Sequence, residues 1–379
     1  MAETKRIAIY HPPGIAIWDA ILQGVFQFVR PDLPWLFATS HEMNRSQIEQ
    51  FRPDGIIAQC SNPDEVAFFR KLGIPVVNVA REAAEISFPS VQIDDVAVGE
   101  MAAYYFIGRG FQKLACVTAG NRDFLVARLE GFRSVSLSNG VAVEVLEVED
   151  LPKEHLFAPP NAGLIRWLAM VSAPTGVFAA TDALGLATLT ACRLQGIQVP
   201  ETIAVLAASN NELLCNLEYP ALSSVRLPGE KLGFEAARML HQMLGGKELP
   251  CEALRLPPIE VVNRLSTDIY CIEDASVCEA LKFIRENCQT PINVGSVVQA
   301  LEISRSSLER KFKTLLGRSI LDEIVAQRIN AAKNLLVTSN KPLYEVAEMS
   351  GFGNPRQFAA TFRKATGEKP SSFRERMTE

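Results

Sequence analysis

The 379 residues are too many for one ordinary domain, and 48% apolar against 21% charged residues is the mix of a soluble globular protein with sizeable cores. No run approaches the ~20 apolar residues that a membrane-crossing helix requires, so no membrane partner is expected. The formal net charge of −5 hides an asymmetry: residues 291–379 carry 14 Lys and Arg against 9 Asp and Glu, and the rest of the chain carries 24 against 34. An acidic body with a basic tail suggests that the tail alone meets a polyanion.

The start of the chain has Lys5 and Arg6 before a short apolar run, 7–10, which stops at Pro12-Pro13. That reads as a first β-strand and not as a secretory signal. Further strand-like runs fall at 55–58, 76–79, 90–93, 114–118, 176–180 and 203–207, with helical patterns at 18–30, 63–72, 96–108, 183–195 and 229–244 between them. Alternating strands and helices, with strands apolar throughout, predict an α/β architecture of parallel sheets flanked by helices. In such sheets ligands bind at the loops that follow the strands. A strand-like stretch at 259–262 leads to an exit rich in polar residues, beyond which only helices and short turns are expected. The boundary is placed at 270, giving domains 1–270 and 271–379.

The eight cysteines include no C-x-x-C pair, and most sit in apolar segments. They are expected to be reduced, buried thiols of a cytoplasmic protein. Four scattered histidines offer no metal cluster, and no cofactor is expected. The chain lacks a G-x-G-x-x-G fingerprint, a P-loop and a nucleophile elbow, so it is not expected to be an enzyme.

The last hundred residues contain an imperfect repeat. Ser304, Leu308 and Phe312 recur as Asn354, Phe358 and Phe362. In each copy a helix cap precedes apolar residues at i+4 and i+8, one face of a helix. Pro355 suits the first helical position, and Gln357 would complete a capping box. A shorter helical pattern precedes each copy, at 294–301 and 343–350. Gly351 suits the second turn, and Glu302 stands near the equivalent place in the first. Helix, tight turn and second helix make a helix-turn-helix, and a long pattern at 320–337 would join two of them. Two such units one DNA turn apart, roughly 34 Å, can enter successive major grooves. The outer side of the second helices is basic: Arg305, Arg310, Lys311 and Lys313, then Arg356, Arg363 and Lys364. Such side chains contact phosphates, and Arg also reads guanine.

The stretches ISRSSLERKFKTLLGRSILDEIVAQRINAAKNLL and PLYEVAEMSGFGNPRQFAATFRKATGEKPSSFR closely resemble the AraC-type double helix-turn-helix domain over about 100 residues. The resemblance implies a double-stranded DNA operator as partner. It places base-reading positions at Arg305, Ser306, Glu309 and Arg310 in the first unit, and at Pro355, Arg356 and Ala360 in the second. Lys313, Gln357 and Arg363 complete the expected DNA-binding set.

The α/β part resembles the LacI/GalR-type ligand domain, itself similar to periplasmic sugar-binding proteins, in stretches such as RPDGIIAQC, VQIDDVAVGEMAA, RLEGFR, FAATDALGLATLTACRLQGIQVPETIAVL and NNELLCNLEYPALSSV. Its fusion to an AraC-type tail is similar to the xylose-operon regulator family. The resemblance implies two lobes with three crossings, near Ile107, Val225 and Leu256, closing on a small-molecule effector, and a homodimer. It places ligand contacts at Asp94, Arg128, Thr181, Asp182 and Asn210. Trp18 could stack on a sugar. Asp182 could instead cap its helix, Asp94 order its loop, and Trp18 lie in the core. Where the family has Asp before Asn, this chain has Ser209, and a tyrosine-like position is Ile17. The effector is thus expected to be xylose or a related carbohydrate, with a lost sugar response or a non-sugar ligand as the alternative.

Overall fold

The computed structural model describes residues 4–11, 17–29, 33–39, 45–60, 62–80, 88–120, 122–148, 161–271, 274–339, 341–366 and 368–378; the Pro12-Pro13 stop lies outside them. The chain forms two units, Met1–Tyr105 with Lys113–Asp268, and Phe106–Gln112 with Ile269–Glu379.

The first unit is α/β. In chain order it contains β1 (Lys5–Tyr10), α1 (Ile17–Phe28), β2 (Trp35–Thr39), α2 (Arg45–Phe51), β3 (Gly55–Ala58), α3 (Pro63–Leu72), β4 (Val76–Asn78), β5 (Ser90–Ile93) and α4 (Asp95–Ile107). There follow β6 (Leu114–Ala119), α5 (Asp123–Ser138), β7 (Val143–Val148), α6 (Ala162–Leu168), β8 (Thr175–Ala179), α7 (Asp182–Leu194), β9 (Ile203–Ser209), α8 (Glu212–Leu217), β10 (Ser223–Arg226), α9 (Gly229–Leu244), β11 (Ala253–Leu256) and β12 (Glu260–Val262). One sheet runs β11-β5-β4-β3-β1-β2 and the other β12-β10-β9-β8-β6-β7. Among the described residues every pairing is parallel except β10 with β12. Strands β3, β6 and β8 are buried along their whole length, as parallel strands covered on both faces must be.

Strand order shows three passages between the sheets: through α4 from β5 to β6, after β10 through α9 to β11, and from β11 to β12. They fall where crossings were expected. Four strands escaped the sequence pattern. In β7, VEVLEV carries exposed Glu144 and Glu147 because it is an edge strand, and β2 is the edge of the other sheet. The strands SSVR of β10 and ALRL of β11 are too short and polar to stand out.

Helices α1 and α9 meet through glycine. A Cβ on Gly24 would lie 1.8 Å from the Glu230 carbonyl oxygen, and one on Gly233 would lie 1.9 Å from that of Ile21. A second close pair joins α4 and α5, where a Cβ on Gly99 would come within 1.9 Å of the Arg128 oxygen.

The second unit is helical: α10 (Ala275–Asn287), α11 (Val294–Ala300), α12 (Arg305–Leu316), α13 (Ile320–Thr338), α14 (Leu343–Met349), α15 (Pro355–Thr366) and α16 (Pro370–Thr378). It has two cores. Val277, Leu281, Ile284, Val297, Leu308, Phe312, Ile320 and Ile324 form one, and Ile329, Ala332, Leu336, Val346, Phe358, Phe362 and Phe373 form the other. Helix α13 supplies residues to both.

No helix among the described residues is long and apolar enough to cross a membrane. Cys60, Cys116, Cys192, Cys215 and Cys288 are buried free thiols, and burial pushes Cys116 and Cys192 up to about 12, so neither ionises near neutrality.

Candidate DNA interface and ligand site

The repeat in the sequence becomes two helix-turn-helix units, α11–α12 and α14–α15. Ser304 caps α12 by accepting the Ser307 N–H at 3.4 Å. Asn354 does the same for α15, accepting the N–H groups of Arg356 at 2.8 Å and Gln357 at 3.4 Å, with Pro355 at the first helical position. Leu308, Phe312, Phe358 and Phe362 turn inward and are fully buried or nearly so. The opposite faces are exposed at Arg305, Ser306, Arg310 and Lys313 on α12, and at Pro355, Arg356, Gln357, Ala360 and Arg363 on α15.

Two side chains of the first face have intramolecular partners. Arg305 Nε donates to Glu309 Oε1 at 2.8 Å, a solvated i,i+4 pair that costs little to open. Lys311 corrects its expected place on the basic face. Its ammonium is 2.7 Å from Asp274 and donates to Ser276 Oγ at 2.8 Å, which ties α12 to the start of α10. The Lys311 hydrogen bond, then that from Ser276, holds the Asp274 carboxyl down at about 2. A depressed carboxylate stabilises the fold above its ordinary range near pH 4, and this contribution disappears as pH falls towards 2.

The turns differ as their residues suggest. Gly351 has φ +84° and Glu302 has φ +52°. A side chain in the left-handed region is strained, and Glu302 is exposed and has only its backbone to accommodate there. Glu302→Gly should therefore stabilise the helical unit by about 0.5–1 kcal/mol, raising its melting temperature by a few degrees. An unchanged or lower melting temperature would show that the Glu302 turn carries no strain.

In the α/β unit the loops that follow β5, β8 and β9 gather the expected polar residues. Asp94 accepts the Ala97 N–H at 3.1 Å, so it caps α4, and its own N–H donates to Leu256 O at 2.8 Å. Arg128 of α5 is 3% exposed; its Nε donates to Asp95 Oδ1 at 2.8 Å and its Nη1 to Ala180 O at 2.7 Å. Thr181 caps α7 through Leu184 N–H at 3.2 Å. Asp182 accepts the Ser224 hydroxyl at 2.6 Å and the Asn211 N–H at 2.7 Å. Burial pushes Asp182 up, opposed by the Ser224 bond, the Asn211 and Asn210 backbone and the Arg128 charge.

Ser209 and Asn210 both have positive φ, +137° and +54°. Two successive non-glycine residues in sparsely populated backbone regions are held by surroundings. Asn210 N–H donates to Ser224 Oγ at 3.0 Å, and its side-chain oxygen accepts Arg264 Nη2 at 2.9 Å. Sequence reasoning missed Asp95 and Arg264. The doubled acid at the start of α4 was the signal for Asp95. Nothing local pointed to Arg264, whose partner lies 54 residues away.

Trp18 is a correction. Its side chain is 1% exposed in the first lobe's core, stacked on His11 with ring centroids 4.5 Å apart, and its Nε1 donates to Gln59 at 2.7 Å. A buried indole with its N–H bonded offers no stacking face to a sugar. Ile17 starts α1 and packs against the same core.

Known proteins match both halves. Residues 103–267 match the periplasmic binding protein-like domain and residues 297–376 a helix-turn-helix domain. The xylose operon regulatory protein of Escherichia coli (strain K12) is 29% identical over 384 residues, covering 98% of this chain and 97% of that one. The helix-turn-helix transcriptional regulator GntR of Pseudomonas aeruginosa is 31% identical over 276 residues, 70% of this chain and 80% of that one. The solved structure of the xylose-binding transcription activator xylR aligns with TM-score 0.64 and 26% identity, covering 99% of this chain and 98% of that one. The chain is a DNA-binding transcription regulator that joins a periplasmic-binding-protein-like domain to a double helix-turn-helix, not an enzyme. Along nearly its whole length it is similar to the xylose operon regulatory proteins.

Proposed function

We propose that residues 271–379 read an operator through α12 and α15, and that residues 1–270 bind a small carbohydrate that modulates this binding. The DNA reading rests on one observation: equivalent exposed faces of two capped helices both carry arginine. In this reading Arg305, Ser306, Glu309, Arg310 and Lys313 serve the first groove, and Pro355, Arg356, Gln357, Ala360 and Arg363 the second. Pro355 and Ala360 carry no side-chain hydrogen-bonding group, so the second helix contributes mainly phosphate contacts. Operators are bound in the cytoplasm, by a homodimer. Arg310→Ala should cost about 1–3 kcal/mol of specific binding and relax preference at one base pair. Gel shifts on an operator and its single-base variants check this, and unchanged ratios would remove Arg310 from the reading set.

The effector reading is supported by polar groups assembled at the strand ends: Asp94, Arg128, Thr181, Asp182, Ser209 and Asn210. Sugar hydroxyls need such paired donors and acceptors. The E. coli relative is named for the xylose operon, and the aligned activator xylR is described as xylose-binding, so xylose is the first sugar to try. A thermal-shift screen of pentoses, hexoses and their phosphates tests the reading, since a ligand of the native state raises the melting temperature. A shift by a pentose supports it. No shift with any sugar favours a regulator that has lost the response or takes another ligand, as the hydroxyl of Ser209 in place of a carboxylate would allow.

A further inference from the structure

We propose that Arg328 is the positioning residue that sets the separation of the two recognition helices, and with it the DNA spacing the protein accepts. This rests on the reading of α12 and α15 as recognition helices. The two cores of the helical unit are distinct, and Arg328 lies on α13 between Ile324, which belongs to the first, and Ile329, which belongs to the second. An α-helix alone fixes neither the roll nor the tilt of a body packed on it. A second connection is needed.

Arg328 provides that connection. Its Nε donates to Cys288 O, and its Nη2 to Thr290 O and Ile292 O, each at 2.9 Å. These three carbonyls lie at the end of α10 and in the loop that enters the first helix-turn-helix. The turn of the second unit rests on the same place. A Cβ on Gly351 would lie 2.1 Å from Cys288 O and 2.8 Å from Arg328 Nε, and the guanidinium carbon stands 6.0 Å from the Phe352 ring centroid. One planar, always-charged fork thus holds the first unit by hydrogen bonds while the second turn, kept bare by glycine, packs against it. A lysine in the same place has one nitrogen and cannot span the three acceptors in that geometry.

Spacing is the quantity such a joint controls. One inserted base pair moves a contact set by about 3.4 Å and rotates it by about 35°. A rigid pair of helices cannot follow that step, and a loosened pair can.

The experiment uses the full chain and a duplex selected from a random-sequence library by the wild-type protein, remade with one base pair inserted between the two protected major-groove segments. Affinities for both duplexes are measured by fluorescence anisotropy for wild type, Arg328→Gln and the milder Arg328→Lys, each shown by circular dichroism to be folded at the assay temperature. Wild type should prefer the selected duplex by about tenfold or more, since losing one well-made base contact already has that size. Both variants should bring the ratio to within about threefold, largely by gaining relative affinity for the inserted duplex. Variants that weaken binding to both duplexes equally, with the wild-type ratio intact, overturn the proposal, because that is the behaviour of a residue that only stabilises. A wild type that binds both duplexes alike overturns the underlying reading of two helices on one duplex, and the proposal with it.

Discussion

Asp95→Ala is expected to destabilise the α/β unit by about 3–5 kcal/mol, the cost of leaving one member of a buried ion pair without its partner. The Asp95 and Arg128 side chains are only 5% and 4% exposed, and their contact is 2.8 Å. In the variant the guanidinium keeps its bond to Ala180 O but loses the carboxylate it is bonded to. For a domain of this size the melting temperature should fall by roughly 6–20 °C. Asp95→Ala combined with Arg128→Met should recover at least half of the loss, because the buried guanidinium left without its carboxylate is gone; the part not recovered includes the attraction between Arg128 and buried Asp182. The two-variant comparison by differential scanning calorimetry decides the matter. A single variant that melts with the wild type, or a double variant no better than the single, would show that the pair does not carry the α4–α5 junction.

Gly24→Ala should be of similar severity for a different reason. The added methyl would stand 1.8 Å from the Glu230 carbonyl oxygen, 2.7 Å from its carbon and 2.8 Å from Phe234 N, all backbone atoms of α9 that no rotamer change can move. The helices must separate, and overpacking of this kind costs about 3 kcal/mol or somewhat more. Gly353→Ala is the matching control: nothing lies within 4 Å of its Cβ position, so its stability should stay within about half a kcal/mol of wild type. Equal melting of Gly24→Ala and Gly353→Ala would mean that α1 and α9 are not in backbone contact.

The helical unit was the part most legible from the chain. Caps, apolar residues at i+4 and i+8 and the repeat all act within one or two turns, so the capped starts of α12 and α15 stood in the sequence itself. The exposed arginines were legible for the same reason, since a helix whose inner face is known has its outer face known too. Lys311 was not, because its partners Asp274 and Ser276 come from another helix, more than thirty residues earlier. Among the ligand-domain residues, the helix cap offered at Asp182 falls one residue earlier, on Thr181, and Asp182 instead accepts from Ser224 and Asn211, partners 42 and 29 residues away.

What the sequence determined by itself is therefore what local periodicity and end chemistry carry: the strand–helix alternation of parallel sheets flanked by helices, the all-helical tail and the basic faces of its two matching helices. Tertiary structure decided which polar groups are paired and which aromatic rings are inside. Trp18 reads equally well as a sugar-stacking ring or as core until Gln59, 41 residues away, accepts its N–H and His11 covers its face. Arg128 finds Asp95 across 33 residues, and Arg328 reaches carbonyls 36 to 40 residues behind it. The reason is physical. A backbone turn or cap is satisfied by neighbours whose distance is set by the covalent chain. The partner of a buried charge is set by how helices pack, and in this protein that packing is governed by glycine contacts at Gly24, Gly99, Gly233 and Gly351, whose bare faces become meaningful only once another backbone lies against them.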